Sequence, residues 1–154
     1  MKFFILTLML ITTSMSLSAQ YGVDNIFRKY KNDSGVMSLK FEGDVSQFFN
    51  DDSEILSKIE SIDIMIFGKD KDMSKKDLKK LITKLADEKY EVLVQAKDGD
   101  KRIKLLGIED GDILKKVFAQ INSEKMNVYF ILLGDIHLKD LSKLNFDKIS
   151  DISF

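Results

Sequence analysis

The chain has 154 residues, 24 basic and 25 acidic side chains, a formal net charge of −1 and neither cysteine nor proline. Without cysteine it can form no disulfide, thiolate metal site or cysteine nucleophile, and it has no cysteine to which a lipid could be attached. The near balance of charge gives no reason to expect nucleic-acid binding, and the length fits one domain.

The N-terminus has the three parts of a secretory signal. Lys2 precedes the apolar run 3–11, and small or hydroxylated residues continue to Ser18 and Ala19. The apolar run is about half the length that crosses a bilayer as a helix. We therefore predict a signal peptide over residues 1–19, with cleavage after Ser18 or Ala19, and a mature domain over 20–154. The sequence predicts export to the periplasm or the exterior, with no transmembrane or lipid anchor.

In the first half of the mature chain, apolar spacing predicts a helix over 23–30 and a strand over 36–42. A helical pattern recurs over 45–59, and the β-branched run 61–68 is typical of a central strand covered on both faces.

The clearest helix follows a capping pattern of Ser74 with Asp77. Its apolar positions recur at helical spacing over 78–86, and five lysines lie off that face. The pattern is typical of a helix with one solvated side, although anionic headgroups or an acidic partner could also use the lysines.

The second half of the chain is predicted to be rich in strands. Alternation predicts strands over 91–97 and 102–109 around the turn Asp98-Gly99, and Asp110-Gly111 marks a second turn. An apolar strand is predicted over 127–133.

The segment 113–121 is ambiguous from its residues alone, because its apolar spacing favours a helix while its length and flanking turns suit a strand. After it, Gly134 to Ile136 is predicted as a turn. A short helix is then expected through Leu138, Leu141 and Leu144, followed by an apolar tail over 146–154.

These features together resemble a known family. The signal segment, the isoleucine-rich strand, the stretch 90–100 and the closing Gly134-Asp135-Ile136 with 138–144 are similar to the secreted family DUF4252, found mainly in Bacteroidota. The resemblance implies a strand for 113–121 and a C-terminal β-meander. It implies no activity, cofactor or functional residue.

The predicted fold is therefore α+β: a mostly antiparallel sheet of about six strands, ending in a meander, with three to four helices packed on it. Neither the residues nor the resemblance assigns a catalytic, cofactor-binding or metal-binding residue.

Individual candidate residues have ordinary structural interpretations. His137, the only histidine, is expected at the surface near the last helix, and one histidine cannot build a multi-histidine site. The acidic turns 98–100 and 109–112 lack the ligand spacing of a calcium loop. The series that begins Asp70, Asp72, Ser74 has Lys75 in place of the required glycine and Leu81 in place of the required glutamate.

Two further groups contain residue types that occur in functional sites. Asp51-Asp52 has the residue types of a carboxylate pair, but adjacency in sequence does not give the facing geometry of a glycosidase. Phe41, Phe48 and Phe49 are expected in the core rather than in an aromatic ligand site.

The chain carries none of the common nucleotide-binding or hydrolase motifs. We therefore predict a non-enzymatic envelope domain that acts as a binding or accessory module, with an envelope protein or a small ligand as its partner. Two alternatives stay open: a hydrolase that uses Asp and Glu without a motif, and a carrier of a small apolar molecule, which would need an internal cavity.

Overall fold

The computed structural model describes residues 20–46 and 54–143 of the chain. The predicted signal peptide, Phe48, Phe49, the Asp51-Asp52 pair and the apolar tail lie outside these residues. Within them, two helices pack on one face of a six-stranded antiparallel sheet, which confirms the α+β class and the number of strands.

The sheet is built from two parts of the chain. A C-terminal meander, in which four consecutive strands pair in order, confirms the predicted meander, and the two N-terminal strands add to its last member. The strands are β1 (Val36–Glu42), β2 (Ile59–Phe67), β3 (Glu91–Asp98), β4 (Lys101–Asp110), β5 (Ile113–Asn122) and β6 (Asn127–His137), in the spatial order β1-β2-β6-β5-β4-β3. β1 and β3 are therefore the two edges.

Two α-helices are present in the described residues, α1 (Gln20–Tyr30) and α2 (Lys75–Asp87), so the prediction of three to four helices is wrong for this part of the chain. The pattern over 45–59 ends in a 3₁₀ turn, Leu56–Lys58, and Ile59 already belongs to β2. The expected last helix is a 3₁₀ helix over Leu138–Lys143. Short segments such as these gain too few α-helical hydrogen bonds to offset nucleation.

Gly134 to Ile136 forms part of β6, not a turn. Gly134 is needed there because a Cβ would lie 2.3 Å from the carbonyl oxygen of Lys58 and 3.0 Å from the Cα of Ile59. The glycine therefore marks a close approach of two backbones, which its sequence signal does not distinguish from a turn.

β5 confirms the strand that the family resemblance implies for 113–121. Its pairing with β4 shifts register between Ile108 and Glu109, where Lys115 is an extra residue of β5, so the positions on the two sides of this bulge face opposite ways. This bulge, together with burial on both faces, gives a strand the apolar spacing of a helix.

Each face of the sheet carries its own apolar cluster. The face beneath the helices contains Phe67, Phe118 and Tyr129, which contact Leu81 and Leu85 of α2 and Phe27 of α1 as one buried cluster. The opposite face carries an aliphatic cluster of β2, β5 and β6 side chains, with Phe130 and Leu141. No helix in the described residues is long and apolar enough to cross a membrane.

Candidate binding groove

The helices cover the sheet unevenly. At the hairpin end of β3, β4 and β5 their side of the sheet forms a groove of about 490 Å³. Its polar lining side chains come from three neighbouring strands and define what we call the basic groove: Gln95, Lys97, Arg102, Lys104, Gln120 and Asn122.

Strand register places the basic groove on the helix side of the sheet. Lys104 lies opposite Gln95 on β3 and Gln120 on β5, and Gln120 in turn lies opposite Tyr129 on β6. Directly opposed residues of an antiparallel sheet point to the same face. Since Tyr129 is buried beneath the helices, the groove continues the helix-covered face where the helices no longer cover it.

Three cationic side chains lie close together in the basic groove. Lys97 lies directly opposite Arg102, so their Cβ atoms are about 5 Å apart, and Lys104 follows Arg102 on the same strand face at about 7 Å. Among the residues that the structure describes, no carboxylate lines the groove and none of the three cations forms an ion pair. Like charges placed directly opposite each other are destabilising.

The neutral wall of the groove is held by a line of side-chain amides. Gln120 donates to Asn122 at 2.9 Å, Asn122 donates to Asn127 at 2.7 Å, and Asn127 donates to the backbone carbonyl of Lys71 at 3.1 Å. Each amide is thus oriented by the next, and the line ends at the segment that leads into α2. The amides beside the cationic side chains therefore have a fixed orientation.

A second cleft, much smaller, lies between α1, the end of α2 and the sheet. It holds about 50 Å³, and its polar lining residues are Asp24, Glu88, Tyr90 and Lys116. Burial raises the pKa of Glu88, and the charge of Asp24 adds to this effect. Glu88 Oε1 is buried without a hydrogen-bond partner. Burial, with a contribution from Glu88, also raises the pKa of the Tyr90 phenol.

A third polar region joins the two helices, and we call it the Asp77 cluster: Lys29, Tyr30, Ser74 and Asp77. Asp77 Oδ2 accepts from Lys29 Nζ at 2.5 Å, from the Tyr30 hydroxyl at 2.6 Å and from the Ser74 hydroxyl at 2.9 Å. The hydrogen bonds from Lys29 and Tyr30 hold the pKa of Asp77 well below its ordinary value. Each of the four side chains is thus hydrogen-bonded to another member of the cluster.

Ser74 caps α2 as predicted, since its hydroxyl accepts from the backbone N–H of Asp77 at 3.1 Å. The reciprocal half of the capping pattern differs from the expected one. The backbone N–H of Ser74 donates to the Tyr30 hydroxyl at 2.9 Å instead of to the side chain of Asp77. α1 thereby completes the cap of α2.

His137 is the last residue of β6 and is half-buried. It lines an open cleft of about 410 Å³ with Glu54, Lys58, Lys139 and Asp140. Lys58 and Glu54 form an ion pair at 3.1 Å. The described residues contain no group of three or more His, Cys, Asp or Glu side chains that could hold a metal ion.

The acidic turns have structural roles. Gly99 and Gly111 adopt positive φ in the two hairpin turns. The central residues of these turns are Gly99-Asp100 and Gly111-Asp112, one residue later in the chain than the predicted Asp98-Gly99 and Asp110-Gly111. Asp100 accepts from the backbone N–H of Glu124 at 3.2 Å, which ties the β3–β4 turn to the β5–β6 turn. Asp72 accepts from the Tyr129 hydroxyl at 2.6 Å and so belongs to the packing of the sheet.

The α2 lysines Lys75, Lys76, Lys79 and Lys80 are exposed and Lys84 is half-buried, as the apolar pattern of the helix predicts. Phe41 is half-buried and packs against the aliphatic cluster. The clefts described here open to solvent and have charged residues in their walls, so none of them is the internal apolar cavity that a carrier requires.

The basic groove was not predicted from the sequence. Its cations were assigned only to strands and turns, and nothing local indicates that Lys97 and Arg102 would be opposed or that Gln120 would lie beside them. The available signal, Asp98-Gly99, was not sufficient: a two-residue turn centred on it would place Lys97 opposite Asp100, and only the observed turn, one residue later, makes Lys97 and Arg102 direct neighbours.

The fold and the groove define a class: an α+β domain with an antiparallel sheet, one face of which the described helices cover only in part. The family model described as Domain of unknown function (DUF4252) matches residues 30–144, and the chain belongs to this family. No curated protein and no solved structure matches the chain.

Proposed function

We propose that the protein is an exported domain of a bacterial cell envelope, of the kind the Bacteroidota background of its family suggests, and that it is a non-enzymatic binding module. The basic groove is its binding site. The observation that carries this proposal is the placement of Lys97, Arg102 and Lys104 together with no carboxylate partner among the described residues.

Export is supported by the sequence of residues 1–19, with Lys2, the apolar run and the small residues before Gln20. The test is N-terminal sequencing of the protein recovered from the producing cell, together with fractionation. A mature chain that starts at Ala19 or Gln20 in the envelope or medium is expected. An intact Met1 in the cytoplasm contradicts this part of the proposal.

The binding role follows from the energetics of the groove. Opposed cations cost stability in the free protein, and nothing in the described fold offsets that cost. A bound anion removes the repulsion and adds charge-assisted hydrogen bonds, so the same arrangement favours the occupied state. The groove volume lies within the range of small-ligand sites.

Photocrosslinking in the producing cell tests this role. A photoreactive residue replaces Gln95 at the groove, and in a matched variant it replaces Glu109, an exposed residue near the opposite end of β4. We expect an adduct at position 95 that is lost when Arg102→Glu is added, and none at position 109. Equal adducts at both positions, or an adduct that is insensitive to Arg102→Glu, would contradict the proposal.

One observation favours the alternative of a motif-less hydrolase: Asp24 and Glu88 share a cleft, and the pKa of Glu88 is raised. Catalytic acids often have such shifted titration. The cleft has room for water but not for a sugar ring, so a substrate would have to bind across its mouth. Hydrolysis of chromogenic glycosides or esters that Glu88→Gln abolishes would establish this function in place of the first.

A further inference from the structure

We infer that the ligand of the basic groove is a phosphorylated sugar, with the phosphate held by the three cations and the sugar hydroxyls by the amides. This inference rests on the proposed binding function of the groove and names the chemistry that fits it.

The spacing of the cations favours a compact, multiply charged anion. Lys97, Arg102 and Lys104 extend from points about 5–7 Å apart on one sheet face. A phosphate monoester carries about −1.5 to −2 charges near neutral pH and three acceptor oxygens, whereas a carboxylate carries one charge. Arginine binds phosphate through two parallel hydrogen bonds, which suits Arg102 as the central cation.

The rest of the groove suits hydroxyl groups. Gln95 can both accept from and donate to a polyol, and Gln120 can accept through its carbonyl oxygen because the amide line uses only its NH₂ group. Gln120 and Asn122 are already oriented through the amide line to Asn127. A site whose donors are fixed before binding loses less entropy when the ligand binds.

A phosphopeptide fits less well, although the groove adjoins the open edge of β3. A peptide would gain affinity by adding a strand to that edge. The pairing of β3 with β4 shifts register between Val92 and Val94, with Leu93 as the extra residue, and such a bulge interrupts regular pairing along an edge. The described lining of the groove also contains no aromatic residue and no deep apolar pocket for a peptide side chain.

NMR titration of the purified protein with glucose 6-phosphate at low salt tests the inference. We expect saturable shifts of the amide signals of Lys97, Arg102 and Gln120, which weaken as salt is added. Glucose alone is expected to cause no shift, and inorganic phosphate to bind about tenfold more weakly because it lacks the contacts to the amides. No saturable shift, or equal affinity for phosphate and the phosphorylated sugar, overturns the inference.

The two arginines of the chain provide a matched pair of variants. Arg102→Ala is expected to weaken binding of glucose 6-phosphate at least tenfold, and Arg102→Lys by less, because lysine keeps the charge but not the fork. Arg28→Ala, at an exposed position of α1, is expected to leave binding unchanged. Equal losses in Arg28→Ala and Arg102→Ala indicate general charge attraction and overturn the assignment to the groove.

A vesicle-binding experiment distinguishes a lipid-linked phosphorylated sugar from a free one. Binding to phosphatidylcholine vesicles that carry monophosphoryl lipid A, but not to vesicles that carry phosphatidylglycerol, supports a lipid-linked sugar phosphate. Equal binding to both overturns the inference, because phosphatidylglycerol has no sugar. An adduct from position 95 in the cell without binding of any phosphorylated sugar refutes this inference alone, whereas the lack of that adduct refutes the binding function itself.

Discussion

The Asp77 cluster and the basic groove lie on the same side of the sheet but differ in whether their charged side chains have partners. Around Asp77, one buried carboxylate accepts from three side chains of two helices. In the groove, Lys97 and Arg102 are opposed with no carboxylate between them. Partnered charge stabilises the fold, while unpartnered charge of one sign costs stability and is available to a ligand. The Asp77 cluster is therefore a structural polar region, whereas the basic groove is a candidate binding site.

The largest effect is expected for Asp77→Ala. The substitution removes the acceptor of Lys29, Tyr30 and Ser74 and weakens the cap of α2, so the free energy of unfolding should fall by about 3 kcal/mol. Urea denaturation measures it. Ser74→Ala, which loses the cap but keeps the other two donors, is the matched control and should cost about 1 kcal/mol. Equal costs for the two variants would show that the cluster contributes only through the cap.

The same variant should change the response to acid. Because the pKa of Asp77 is lowered in the folded state, its stabilisation is fully present above the unfolded pKa of about 4 and is lost as pH falls below it. The stability of Asp77→Ala should therefore decline less between pH 5 and pH 2 than that of the wild type. Parallel declines would contradict the assigned role of the ionised carboxylate.

Tyr30→Phe is expected to cost less, about 1 kcal/mol. It removes the hydroxyl that donates to Asp77 and accepts from the Ser74 backbone N–H, but it keeps the edge-on contact of the ring with Phe67 at 5.3 Å. Thermal and urea denaturation measure the difference. If the combined Tyr30→Phe and Asp77→Ala variant loses the full sum of the two single effects, the residues do not act as one cluster.

In the groove, Lys97→Glu should raise stability by about 0.5 kcal/mol, because an opposed pair of like charges becomes an opposed pair of opposite charges with Arg102. The same change should abolish binding at the groove. The control Lys69→Glu, at an exposed position before α2, should change neither property. A loss of stability in Lys97→Glu would mean that the lysine has a structural role, and it would contradict the distinction between the basic groove and the Asp77 cluster.

The smallest effect is expected for Glu88→Gln. Burial raises the pKa of Glu88, so its ionised form is disfavoured in the folded state and stability is lost as pH rises through that pKa. The variant should therefore be more stable than the wild type at pH 8 by about a few tenths of a kcal/mol, a small value because solvent screens this partly exposed group. The difference should vanish near pH 3, where both side chains are neutral.

Local patterns predicted much of the fold, and long-range contacts account for most of the failures. Ser74 was predicted as the cap of α2 because its signal lies within a few residues, whereas Tyr30 completes that cap from a distant helix. The bulge at Lys115, seen in the pairing of β5 with β4, gave β5 a helical spacing. Gly134 carried a turn signal, but its function is to admit the backbone of Lys58.

The groove shows the same limit for function. Its residues are unremarkable along the chain, and the feature that distinguishes them is created only when β3, β4 and β5 pair in one register. His137, the residue most suggestive of chemistry in the sequence, lies instead at the end of β6 beside Lys58 and Lys139.

The position of β6 also determines when this protein can fold. β6 lies between β2 and β5, and it pairs Ile59 and Phe67 with residues near the end of the described chain. Until β6 has been synthesised, β1 and β2 form at most an isolated hairpin, which is marginal in water. The two parts of the sheet therefore join only after β6 has been synthesised, although β1 and β2 come first in the chain.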